Sequence, residues 1–156
     1  MSIAPRDEPE ASELLAMSEA DRGASMIQPE GWAKPEGYSN GAVMSGRIVT
    51  VAGQVGWNPQ TCVFESSDFA GQARQALHNM VEVLLAAGAR PADLVRITWY
   101  ILERGEYTAA KKDIGAAYLE IIGNHYPPMS LVIVSGLLEQ RARVEIEGTA
   151  VIPEHA

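Results

Sequence analysis

The chain has 156 residues, 47% of them hydrophobic, with a formal net charge of −8 and a single cysteine, Cys62. That length and apolar content fit one domain with a real core, while the acidity argues against a nucleic-acid partner, which calls for a basic stripe, and one cysteine rules out an intrachain disulfide framework. No apolar run nears the roughly 18 residues of a membrane span, and the N-terminus lacks the basic-then-apolar pattern of a signal peptide, so a cytoplasmic setting without a membrane partner is expected, with Cys62 as a small apolar filler.

Residues 1–36 are acidic and punctuated by proline; they read as an arm, ordered where it docks on something else. Ser12 to Asp21 holds an amphipathic turn or two, and Trp32 and Tyr38 are large groups that favour docking near the arm's end. Gly41 to Arg47 reads as a hairpin with Ser45-Gly46 at the turn. The return strand, Ile48 to Gly53, is apolar on both faces and so is expected to be central. It runs into Gly53-Gln54-Val55-Gly56-Trp57-Asn58-Pro59, where glycine marks a bulge or a close backbone approach.

Asp68 is a good N-cap, and Phe69, Ala73, Leu77, Met80, Leu84 and Leu85 follow at helical spacing, predicting a helix over 69–87 that Gly88 ends. Leu94 to Leu102 has strong β preference. Tyr107 to Ile122 reads as a second helix ended by Gly123-Asn124. His125-Tyr126-Pro127-Pro128 then stops the chain from continuing as helix, and a β-branched run follows from Met129 to Val134. The chain turns through Ser135 to Ala142 and returns over 143–151 with period two: Val144, Ile146 and Ala150 face one way, Arg143, Glu145, Glu147 and Thr149 the other.

The order β-β-α-β-α-β-β predicts a two-layer α+β domain with both helices on one face of a sheet. Glu145 and Glu147 then point to the uncovered face, about 7 Å apart at the usual rise. That face is expected to be buried in an oligomer.

Several stretches, taken together and in order, resemble the RidA/YjgF family of reactive-intermediate deaminases: Gly37-Tyr38-Ser39-Asn40, Val51 to Pro59, Gln72 to Asn79, Ala86-Ala87-Gly88, Tyr126-Pro127-Pro128-Met129-Ser130 and Val144 to Val151. The resemblance covers 37–152, and the domain is expected over 37–156. It implies a chorismate-mutase-like homotrimer whose inter-subunit clefts hydrolyse imines or enamines released by pyridoxal-phosphate enzymes, with no metal or cofactor. Within the cleft it implies Glu145 as the group that positions water, with Tyr38, Gly53, Gln54, Trp57, Met129, Ser130 and Leu131 against the substrate. One residue departs from the pattern. Where the best-studied branch has an arginine that grips the substrate carboxylate, this chain has Met129, an apolar side chain with no donor. The expected substrate is therefore an imine or enamine other than a simple small α-imino acid. A binding or regulatory trimer without turnover is the alternative.

Overall fold

A computed structural model of the protein describes residues 25–154. The proposed turn at Ser12 to Asp21 lies outside them. The elements are β1 (Ser25–Ile27), β2 (Gly41–Val43), β3 (Arg47–Val55), α1 (Phe69–Ala86), a 3₁₀ turn (Pro91–Asp93), β4 (Leu94–Ile101), α2 (Arg104–Ile121), β5 (Met129–Ile133) and β6 (Val144–Ile152). The fold is α+β. Four strands form one sheet in the order β3-β6-β4-β5, antiparallel except for the parallel β4–β5 pair.

The alternation of β6 has the orientation read from sequence. Val144, Ile146 and Ala150 are fully buried and join Leu77, Met80 and Leu84 of α1 and Ile114 and Tyr118 of α2 in the main core. In β4, Leu94, Ile97, Trp99 and Ile101 face the same core, so Arg96, Thr98 and Tyr100 share the opposite face with Glu145, Glu147 and Thr149. Gly148 lets the sheet and α1 approach closely: a Cβ there would lie 2.9 Å from Met80 Sδ. The helix start follows from the predicted cap, since Asp68 Oδ1 accepts from Gly71 N–H at 2.8 Å. The Ser66 hydroxyl and then that amide hold the Asp68 carboxyl below its ordinary pKa. Arg74 ties α1 to Glu120 of α2 by an ion pair.

Three expectations change. Gly41–Val43 does not fold back on the strand that follows it; it pairs antiparallel with Ser25–Ile27, so the end of the arm supplies a strand of its own. Asn40 Nδ2 donating to Gln28 Oε1 at 2.7 Å closes this small ribbon. β3 is an edge strand, not a central one. Its two apolar faces misled the reading because Ile48 stays 68% exposed on the face away from the helices. Cys62 is exposed, with φ 54°, in the turn between Asn58 and Val63. A turn position, not a core gap, explains it.

Candidate functional site

The residues expected at the site fall into two groups within one chain. The first surrounds a cavity of about 370 Å³ lined by Tyr38, Ser39, Asn40, Arg96, Met129 and Ser130, among others. Its geometry comes from a splice between distant segments. Ser39 N–H donates to Pro127 O at 3.3 Å, and the Ser39 hydroxyl donates to Tyr126 O at 2.6 Å. Pro127 and Pro128 have no backbone N–H to donate, so they join this splice through their carbonyls alone. Pro128 O takes the Ile97 N–H at 3.0 Å, and this joins the proline segment to β4 just where β5 begins. Tyr126 also stacks on Tyr118, ring centroids 5.5 Å apart. Burial first of all raises the Tyr118 phenol above its usual pKa, and its hydroxyl donates to His125 O at 2.7 Å. His125 is itself occupied, with Nε2 2.7 Å from Leu94 O. It fastens the loop.

The second group lies on β3 and β6. Glu145 folds its carboxylate over Gly53: a Cβ at residue 53 would fall inside that side chain, 2.7 Å from Cδ and 2.8 Å from Cγ. The pairing of β3 with β6 shifts between Val51 and Gln54, so the predicted bulge is present, and Gln54 Nε2 donates back to Ala52 O at 3.1 Å. Glu145 is half-buried, and no salt bridge reaches it among the described residues. Arg143, its neighbour on the strand, pairs with Glu106 and donates to Ser67 O at 2.6 Å. Glu147 accepts from the Tyr100 hydroxyl at 3.0 Å. That bond is the main reason the Tyr100 phenol loses its proton less readily than usual.

Met129 pairs with Ile97 of β4, while Glu145 pairs with Tyr100, itself opposite Val132. The two site residues are thus separated by two strand steps and about 10 Å along the strands. Met129 also packs against the helix-side core, whereas Glu145 shares the other face with Tyr100. Leu131 is exposed on β5, outside the cavity lining. Trp57 packs on Phe64 at 6.1 Å in a second small cluster with Val55 and Ala142. Asn79 of α1 pins that segment by donating to Val55 O and Trp57 O.

Sequence reading did not assign Thr98 a place in the site. Thr98 Oγ1 is buried and has no hydrogen-bond partner among the described residues. Arg96 also lines the Met129 cavity. The signal for both was the polar alternation Arg96, Thr98, Tyr100 inside an otherwise apolar strand. Among the described residues no cluster of His, Cys, Asp or Glu is arranged to hold a metal ion, and no helix is long and apolar enough to cross a membrane.

Residues 32–152 match the family model described as Endoribonuclease L-PSP. The chain is 33% identical over 119 residues to a 2-iminobutanoate/2-iminopropanoate deaminase of Dermatophagoides farinae, a match covering 76% of this chain and 89% of that one. Among solved structures it is similar to YyfB of the conserved Rid family from Yersinia pestis, at TM-score 0.72 and 34% identity over 83% of this chain and 99% of that one. It is also similar to Escherichia coli TdcF with bound serine, at TM-score 0.59 and 29% identity over 84% of this chain and 94% of that one.

Proposed function

This chain belongs to the RidA/YjgF family, and on that premise we propose that it hydrolyses a reactive imine or enamine to a carbonyl compound and ammonia, in a cleft that two copies of the chain build together. The observation that carries the reading is the separation just described. The Glu145 carboxylate and the Met129 side chain lie on opposite faces of the sheet and on different strands of one chain, about 10 Å apart along them, so we assign one active centre to Glu145 from one copy and the Met129 cavity from another. A homotrimer with three such clefts is the assembly we assign, as the family resemblance implies.

In the chemistry, Glu145 accepts a proton from water as the oxygen attacks the C=N carbon. With the imine nitrogen protonated, this gives a neutral carbinolamine; the same carboxyl returns the proton to nitrogen and then takes the hydroxyl proton as the C=O bond forms, the C–N bond breaks and ammonia leaves. An enamine joins this path by first taking a proton on carbon. The relative from Dermatophagoides farinae is named for small α-imino acids. Here Met129 gives their carboxylate no donor, so we assign a substrate with a larger apolar body. The same residue supports a second reading, a trimer that binds such a ligand without turning it over.

Two measurements test this together. Light scattering coupled to gel filtration should give about three times the 16.8 kDa chain mass. An amino-acid oxidase can generate imines of graded size in the presence of semicarbazide, and the protein should suppress trapping of the larger ones. A monomer at all concentrations removes the composite cleft. An assembled protein that suppresses no trapping leaves the binding reading.

A further inference from the structure

Of the described residues that line the Met129 cavity, Arg96 alone carries a charge. Ser39 and Asn40, also in the lining, already donate to Tyr126 O and Gln28 Oε1. Met129, Pro128, Val95 and Ala42 add apolar wall. At about 370 Å³ the cavity is at the small end of those that hold small molecules. A single fixed cation in such a wall orients the anionic end of a ligand.

Arg96 is also uncommitted. Among the described residues Arg74, Arg90 and Arg143 each pair with a carboxylate, and Arg47 and Arg141 donate to backbone carbonyls. Arg96 is exposed and has neither kind of partner among them. The acid that could neutralise it is held elsewhere. Glu147 lies opposite Thr98, so Arg96 and Tyr100, two residues to either side of Thr98, flank it on one face. Diagonal neighbours of this kind are within reach of long side chains. Glu147 takes the Tyr100 hydroxyl at 3.0 Å and thus leans along the strand away from Arg96. The Tyr100 bond keeps this carboxylate off the guanidinium.

We propose that Arg96 binds a carboxylate of the substrate, and that the substrate is an imine or enamine whose carboxylate is set back from the C=N carbon by a short apolar chain. Arginine's planar donors match a carboxylate in pairs. One guanidinium, with no lysine or second arginine in the lining, balances a single negative charge. That fits a carboxylate and leaves a phosphate only partly neutralised. The spacer follows from position. Met129 lies opposite Ile97 and packs toward the helices, whereas Arg96 precedes Ile97 on the other face. An anion on Arg96 is therefore displaced from the Met129 position, and a run of carbons has to cross the apolar wall between them. The inference rests on the proposed reading for its C=N chemistry; the anion site itself is decided by binding alone.

Titration calorimetry tests it with stable ligands that keep the product's C=O in place of C=N: 5-oxohexanoate, its methyl ester, pyruvate and 4-oxopentyl phosphate. The wild type should bind 5-oxohexanoate roughly 10-fold or more tightly than the ester or pyruvate, the step expected of one bond to a charged group. Added salt should weaken the acid and not the ester. Arg96→Gln should erase the preference, and Arg96→Lys should keep part of it. Tyr100 is outside the cavity lining, yet Tyr100→Phe releases Glu147 toward Arg96. It should weaken the acid by about 3-fold, the scale of an exposed ion pair, and leave the ester unchanged; adding Glu147→Gln should restore the acid. Circular dichroism checks that each variant is folded. An ester that binds as well as the acid, or an Arg96→Gln protein that keeps the preference, overturns the anion site and leaves the cleft reading standing. Tighter binding of the phosphate than of the carboxylate overturns the choice of anion. Preference for the acid in a protein that suppresses no semicarbazide trapping keeps the site and removes the hydrolysis. A protein that binds none of the four overturns both.

Discussion

Replacing Gly53 with alanine should separate activity from stability. The three atoms nearest the added Cβ all belong to Glu145: a carboxylate oxygen, Cδ and Cγ. These atoms end a flexible side chain, so the carboxylate moves and the backbone does not. Gly53 has no positive φ, so alanine brings no backbone strain. Holding Glu145 off its present rotamer costs about 0.5–1.5 kcal/mol, a fall in Tm of roughly 1–6 °C for a chain this size. Moving a water-positioning group by about 1 Å, by contrast, costs on the order of 100-fold in rate. Gly56→Ala is the control. Its Cβ would lie 2.5 Å from Gln72 Cα and 2.6 Å from Gln72 Cβ, inside α1 and against a residue whose amide also holds Arg141 O and the Arg143 N–H. That overpacking should cost roughly 2–3 kcal/mol or more. The assay pairs semicarbazide trapping with thermal unfolding on each variant. A folded Gly53→Ala protein with wild-type turnover would refute the role given to Glu145, and a Gly53→Ala protein that melts like Gly56→Ala would refute the geometry.

Glu145→Gln should keep the assembly and lose turnover of any imine the protein accepts; a normal rate would remove Glu145 from the chemistry. The wild type should be poor on 2-iminopropionate, since a missing charged partner for a buried carboxylate costs on the order of 2–5 kcal/mol, or roughly thirty- to several-thousand-fold in kcat/KM. Met129→Arg should raise that value without changing the mass in solution, and trapping assays on both proteins decide it. Asp68→Ala should lose about 1 kcal/mol at neutral pH through the missing cap. Because the folded-state pKa of Asp68 is lowered, the cap contributes fully above the ordinary carboxyl value of about 3.9. Its contribution fades as pH falls below that, so urea titrations of the two proteins should converge in acid.

Much of this was legible beforehand because local chemistry fixed it. Asp68 capped α1 at the predicted residue, and the period of β6 divided core from open face as read. The start of α2 was read three residues late because Glu103 makes no side-chain cap there, so no cap signal marks the start. The pairing of Ser25–Ile27 with Gly41–Val43 was hidden, since both segments are short and a nearby turn offered a closer partner. β3 looked central because an edge strand and a buried one can have the same composition when something else covers the edge. The division of the site into two groups was equally invisible. It depends on which strands neighbour one another, not on any motif.

The strand that ends the described chain, β6, lies between β3 and β4. Those two strands are complete long before it in order of synthesis, yet they have no direct pairing with each other. A nascent chain therefore holds β3 apart from the β4–β5 pair until β6 arrives to bridge them. Contacts of such long sequence separation slow folding and leave apolar strand surface open meanwhile. Removing β6 should abolish the domain, not trim it, and the chain should need protection from its neighbours until β6 has been made.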